Sequence, residues 1–280
     1  MPNAAAPRPL GPLRWHPAKH PLIMGVINVT PDSFSDGGEH LTENAALAHA
    51  KQLAEEGAHI LDIGGESTRP GASLVEEQEE LQRVLPAIRA IASADLGRVI
   101  SIDTYKARIA DKALDAGAHV VNDVWGLQRE PDIAKAAAAH HAPVIINHWE
   151  KEPDADKDLI TQMKAFFDRS IEIALKAGVD EDLIILDPGI GFGKSVEDNL
   201  LILSGLDQLH AWGYPLLIGT SRKRFIGHIT GREPKDRVHG TVASNVLALT
   251  KGATIFRVHD VAAHKDALAV AHAIHTYPGS

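Results

Sequence analysis

Cysteine is absent from all 280 residues, which removes disulfides, thiolate metal sites and cysteine nucleophiles from consideration. A reducing cytoplasm fits that absence, and cytoplasmic is the expected location. Long apolar runs are missing too: no stretch approaches the length that crosses a bilayer, so no membrane partner is expected. The opening "MPNAAAPRPLGPLRWHPAKHP" lacks the uninterrupted apolar core of a signal peptide. It reads as a loose lead-in over residues 1–20, ahead of one domain over 21–280. Positive charge is in short supply, with 28 Lys and Arg against 37 Asp and Glu and a formal net charge of −9. That balance argues against a general nucleic-acid binder, which needs a basic surface, but not against a small anion met by a few local cations. The 16 histidines are scattered, with no His-x-His pair at a strand end.

What is present is a regular alternation. Short apolar, β-branched runs fall at residues 22–27, 60–63, 99–102, 119–121, 143–146, 183–186, 215–218 and 254–258. Between them lie Ala- and Leu-rich stretches of helical periodicity, such as "NAALAHAKQLAEEGA", "ARIADKALDAGA" and "KAFFDRSIEIALKAGV". Several close on a glycine suited to a left-handed helix stop. Strands alternating with helices imply a parallel sheet with crossover helices, and continuously apolar strands imply a sheet covered on both faces. Eight such units in a chain of this length predict an α/β fold, a single-domain (β/α)8 TIM barrel. A doubly wound open sheet is the rival, but the first strand-to-helix turn is no Gly-x-Gly-x-x-Gly.

A barrel places its active site at the carboxyl ends of its strands. Those ends are Asn28; the segment leading into Glu66-Ser67-Thr68-Arg69-Pro70; Asp103; Asn122 and Asp123; Asn147 and His148; Asp187; Ser221-Arg222-Lys223; and Arg257 and His259. Taken singly, each has a structural explanation as a helix cap or turn residue. Taken together they crowd carboxylates, amides and cations around one mouth, at a desolvation cost that capping does not explain. Arg257 and His259, two apart on a strand, point the same way and with Arg69 and Lys223 can form a cationic patch for a phosphate or diphosphate. Asp103, Asn122 and Asp187 suit the edge of a planar heterocycle, with carboxylates accepting from its N–H groups and amide or ammonium donating to its acceptors. "DPGIGFGK" lacks the Walker spacing; its glycines suit a tight backbone turn around Asp187 that brings Phe192 to the pocket wall. Ser221 has no triad context. Asn28 is a single oxygen donor, adequate for Mg2+ only where phosphate and water supply most ligands.

The blocks "NVTPDSFSDGG", "GGESTRPGA", "SIDTYK", "VND", "DPGIGFGK", "GTSRK" and "FRVHD", in this order, resemble the dihydropteroate synthase family. The resemblance implies that Asp103, Asn122, Asp187 and Lys223 bind a pterin ring, while Arg257 and His259 hold a diphosphate, helped by Asn28 through Mg2+. It implies that Phe34 on one mobile loop and Thr68, Arg69 and Pro70 on a second close over 4-aminobenzoate, with Phe192 and the backbone at Lys223 and Arg224 completing that pocket. Arg257, His259 and Lys223 are then the catalytic set. The implied reaction joins 4-aminobenzoate to (7,8-dihydropterin-6-yl)methyl diphosphate, by loss of diphosphate and then amine attack. A homodimer is implied as well. The loop over residues 30–39 is expected to order only around ligands.

Four positions depart from the commoner pattern of that family: Asn147 and Trp149 where Met is frequent, Tyr105 where Ser or Thr is, and Arg224 where Ser is. Two rivals share the barrel, a folate-dependent methyltransferase and a non-catalytic pterin-binding paralogue. The two loop blocks with Arg257 and His259 speak against the first, and the complete ligand set against the second. A metal-dependent hydrolase barrel would start from His-x-His where this chain has Asn28.

Overall fold

The structure, a computed structural model, describes residues 7–17, 19–29, 39–67, 74–150 and 158–278. Eight parallel strands close into a barrel: β3 (Leu22–Asn28), β4 (Ile60–Gly64), β5 (Val99–Asp103), β6 (Val120–Asp123), β7 (Val144–Asn147), β8 (Ile184–Asp187), β9 (Leu216–Ile218) and β10 (Ala253–Val258), which pairs back onto β3. The strands coincide with the eight apolar runs. Most extend one residue further at the carboxyl end, because Asn28, Asp103 and Asp187 still belong to the ladder.

Side chains alternate along each strand. In β4, Leu61 and Ile63 face outward into the main core with Ile100, Ile102, Val121, Ile146 and Leu186. Ile60 faces the barrel interior, in a second cluster with Met24, Val99, Val120, Ile145, Ile185, Leu217 and Ile255. The inward residues two positions further on are Asp62 after Ile60, Asn122 after Val120, Asn147 after Ile145, Asp187 after Ile185 and Arg257 after Ile255. The amino-terminal half of the barrel is therefore apolar and the carboxyl-terminal mouth is charged.

The outer layer comprises α1 (Glu39–Glu56), α2 (Glu77–Ser93), α3 (Ala107–Asp115), α4 (Asp132–Ala139), α5 (Leu159–Ala177), α6 (Val196–Ser204), α7 (Leu206–His210), α8 (Arg224–Thr230), α9 (Val238–Thr250) and α10 (Val261–His275). Helix α2 shows the logic. Leu81, Val84, Ile88 and Ile91 recur at helical spacing and are buried, while Glu77, Glu79 and Glu80 sit in the first turn near the positive end of the helix dipole. Helix α5 starts on Asp158, whose carboxylate accepts from the Thr161 N–H, and stops on Gly178 at φ +96°. Gly57, Gly117 and Gly252 also have positive φ after α1, α3 and α9, as the sequence predicts.

The lead-in assigned to residues 1–20 requires correction. Strands β1 (Arg8–Leu10) and β2 (Leu13–Trp15) form an antiparallel hairpin. Its Leu10 and Trp15 are buried in the interior cluster at the amino-terminal end of the barrel. The hairpin plugs the open base: burying each such side chain contributes roughly 1.5–3 kcal/mol, enough to order a segment that has no core of its own. Arg8 ties it down, donating from Nη1 to the Asp182 carbonyl at 2.6 Å.

Candidate active site

The carboxyl-terminal mouth brings most of the expected residues together. Gly64, Asp103 and Asn122 occupy one register level across β4, β5 and β6, and Asn147 and Asp187 pair across β7 and β8. Arg257 rises from β10 into the middle of the mouth. Its Nε donates to Asp62 Oδ2 at 2.6 Å, and its Nη2 to Asp103 Oδ2 at 2.7 Å. Burial alone would lower the pKa of this guanidinium, but Asp62 and Asp103 more than offset it and raise it. Asp62 is fully buried and also receives the Asn122 amide at 3.3 and 3.4 Å. One carboxylate thus braces a cation and an amide that the sequence assigned to different ligand halves. Asp62 is hard to see in the sequence because it sits inside the apolar run "ILDIG"; period-two alternation, placing it inward two residues after Ile60, is the signal that finds it.

Burial dominates the titration of the other groups. The Asp103 carboxyl is pushed up to about 7 by burial, with Arg257 opposing. Asp187 rises to about 6 by burial, opposed first by the Gly189 N–H that its Oδ1 accepts at 2.7 Å. Lys223 falls to about 8, by burial and then by repulsion from Arg257. A heterocycle offering N–H donors to these carboxylates and an acceptor to the ammonium supplies the partners that water no longer does.

Two ion clusters hold the surrounding loops. Lys106, after β5, reaches Glu66 at 2.8 Å and Glu80 of α2 at 2.5 Å; Glu80 also accepts from Thr104 Oγ1 at 2.9 Å. Arg222, at φ +59°, sends Nε and Nη2 to the Asp260 carboxylate at 3.1 and 2.6 Å. That pair fixes the turns after β9 and β10 relative to each other. In the same turns, His259 Nδ1 lies 2.9 Å from Ser221 Oγ, whose oxygen also accepts the His259 N–H at 3.2 Å.

After β8 the backbone makes the tight turn expected of its glycines. Gly189, Gly191 and Gly193 all have positive φ, and a Cβ on Gly189 would sit 2.0 Å from the His148 carbonyl oxygen. Lys194 Nζ pins the turn from within, meeting His148 Nδ1 at 3.0 Å and the carbonyls of His148 and Phe192 at 3.1 Å each. Burial lowers Lys194 to about 7 and His148 to about 3, so the imidazole is neutral. The Phe192 ring carries Lys223 Nζ over its face, 4.1 Å from the centroid.

Of the remaining expected residues, Asn28 is exposed at the end of β3, level with Gly64, and Arg224 is exposed at the start of α8. Phe34, Thr68, Arg69, Pro70 and most of the first loop lie outside the described residues. Among the described residues no three or more His, Asp or Glu side chains gather to hold a metal ion. Asn28 alone therefore fits Mg2+ only as an outer ligand to an ion carried by phosphate oxygens and water. The unusual wall residues are packed in place: Asn147 Nδ2 donates to the Val124 carbonyl at 2.7 Å, Trp149 stacks on Trp125, and the Arg129 guanidinium lies over the Tyr105 ring.

A guanidinium held between two carboxylates, with amide, carboxylate and ammonium groups around it inside a (β/α)8 mouth, is consistent with a pterin-handling barrel. The family of pterin binding enzymes matches residues 24–259, and the chain belongs to it. Within that class it belongs to the dihydropteroate synthase family. It is 50% identical over 240 residues to the dihydropteroate synthase of Bacillus subtilis, covering 86% of this chain and 84% of that protein. Over 275 residues it is 46% identical to the Synechocystis enzyme, covering 96% of this chain and 95% of that one. Among solved structures, the dihydropteroate synthase of Clostridium difficile crystallised in the presence of pteroic acid superposes with a TM-score of 0.89 at 47% identity, covering 92% of this chain and 97% of that one. The Xanthomonas albilineans enzyme in complex with 7,8-dihydropteroate gives 0.85 at 45% identity, covering 93% and 96%.

Proposed function

We propose that this chain makes 7,8-dihydropteroate in folate biosynthesis, joining 4-aminobenzoate to (7,8-dihydropterin-6-yl)methyl diphosphate with release of diphosphate. The observation that carries the reading is Arg257 held between Asp62 and Asp103 at 2.6 and 2.7 Å, at the centre of the mouth. Relatives support it: the Xanthomonas albilineans dihydropteroate synthase has been solved with 4-aminobenzoic acid and with 7,8-dihydropteroate.

Asp103, Asn122 and Asp187 take the pterin edge, and Lys223 donates to a ring acceptor. Docked there, the pterin directs its diphosphate at Arg257, His259 and Asn28. In the dissociative path the C–O bond to diphosphate breaks first, and the negative charge growing on the departing oxygen is stabilised by the Arg257 guanidinium and by His259. Mg2+, when bound with the diphosphate beside Asn28, supplies further charge neutralisation. The pterin carries the resulting cation, and the amine of 4-aminobenzoate attacks it from the side of Phe192. The amine then sheds its proton to solvent or to the departing diphosphate, so no covalent nucleophile is required. Phe34, Thr68, Arg69 and Pro70 close the aminobenzoate side and exclude water that would otherwise capture the cation; Arg224 flanks that pocket.

The same reading makes the protein a cytoplasmic homodimer without a nucleic-acid or membrane partner. The family resemblance supports the dimer, and the net charge of −9 and zero cysteines support the rest. No described helix is long and apolar enough to cross a membrane. The test is diphosphate release from the pterin diphosphate that depends on added 4-aminobenzoate; release without pteroate formation would contradict the proposal.

A further inference from the structure

Five side chains from consecutive βα turns form one continuous stack along the mouth. On the outside, the Arg129 guanidinium lies 4.9 Å from the Trp125 ring centroid. Trp125 stacks on Trp149 at 4.0 Å with only 14° between the planes. Trp149 meets Phe192 at 5.3 Å and 44°, and Phe192 carries the Lys223 ammonium at 4.1 Å. The stack thus runs from an exposed cation, through the turns after β6, β7 and β8, to a lysine of the pterin site.

Two devices fix Phe192 independently. Its backbone is fixed by Lys194, on the Phe192 carbonyl, and by Asn199 Oδ1, which accepts the neighbouring Gly191 N–H at 2.7 Å. Neither bond restrains the ring, which has two free torsions. Among the described residues, the aromatic contact that restrains it is Trp149. Trp149 is in turn clamped face to face by Trp125, so it cannot yield without breaking a stacked pair.

We propose that Trp149 is a positioning residue for the aromatic amine, acting through Phe192: it holds the Phe192 ring against Lys223 and so sets the wall against which 4-aminobenzoate lies. The inference rests on the reading of Phe192 as that wall. A residue acting this way affects the second substrate much more than the first, whose contact with the stack is only through Lys223. Trp149→Ala should raise KM for 4-aminobenzoate about five- to tenfold, the worth of one aromatic pair, while KM for the pterin diphosphate moves less than about twofold. Trp149→Phe keeps an aromatic neighbour and should restore most of the loss.

The decisive comparison is a double-mutant cycle. If Trp149 works through Phe192, adding Trp149→Ala to Phe192→Ala changes KM for 4-aminobenzoate no further. Additive effects in the cycle, an unchanged KM in Trp149→Ala, or equal rises in both KM values would each overturn the inference. Circular dichroism and thermal melting of Trp149→Phe keep the test valid should Trp149→Ala fold poorly. Absence of aminobenzoate-dependent turnover in the unmodified enzyme would instead overturn the functional reading itself, so the two failures are distinguishable.

Discussion

Arg257 and Asp62, 195 positions apart in the chain, are joined by a 2.6 Å bond from Nε to Oδ2, with Asp62 fully buried. The pair makes the cation to which the proposed function gives the diphosphate depend on a fully buried carboxylate. Asp62→Asn keeps the shape and removes the charge. We expect kcat/KM for the pterin diphosphate to fall about 10- to 100-fold, the worth of a charged hydrogen bond. Asp62→Ala should also cost about 1–3 kcal/mol of unfolding free energy, because a partly buried cation loses one of its two charged partners; steady-state kinetics and urea unfolding measure both.

The pH profile of kcat/KM should be bell-shaped. In the proposed roles Asp103 and Asp187 must both be ionised to accept from the pterin, which places the acid limb near about 7, the value of Asp103, and steepens it below about 6, the value of Asp187. Lys223 must be protonated to donate, which places the alkaline limb near about 8. Asp187→Asn should flatten the acid limb, and Lys223→Arg should carry the alkaline limb upward; a profile unmoved by either variant contradicts the assignments.

Asp187 also trades stability for binding. Its folded value of about 6 lies above the ordinary 3.8. The folded state therefore favours the protonated form, and stability is lost as pH rises from below 3.8 through about 6. At pH 8 the buried charge costs on the order of 3 kcal/mol, from the size of the shift. Asp187→Asn should therefore raise the melting temperature of the ligand-free protein by about 5 °C at pH 8 and hardly at all at pH 4, while weakening pterin binding about 100-fold. Calorimetry at the two pH values reads the first effect and titration with a pterin the second.

The amino-terminal hairpin supports the barrel from the end opposite the site. Trp15→Ala should cost about 3–5 kcal/mol of stability through the cavity it leaves, with both KM values unchanged. Any selective change in KM would mean that the base of the barrel communicates with its mouth.

Much of this architecture is legible in the sequence, and the exceptions have physical reasons. The barrel strands are readable because sheets covered on both faces need continuous apolar runs, and the candidate site is readable because polar groups end those runs at one mouth. The hairpin over Arg8–Leu10 and Leu13–Trp15 escapes notice because its strands are three residues each, carry Pro9 and Arg8, and acquire a core only by docking into the barrel base. Asp62 is hidden by the apolar residues on either side of it. The stack from Arg129 to Lys223 joins residues from separate turns, and no spacing in the chain announces that they meet.

The central claim is that this mouth makes dihydropteroate. The most direct measurement follows diphosphate release and product formation from (7,8-dihydropterin-6-yl)methyl diphosphate and Mg2+, with and without 4-aminobenzoate. We predict equimolar diphosphate and 7,8-dihydropteroate only when 4-aminobenzoate is present, and loss of about 100-fold or more in kcat on Arg257→Gln. Binding of the pterin without any aminobenzoate-dependent product, or full activity in Arg257→Gln, would contradict it.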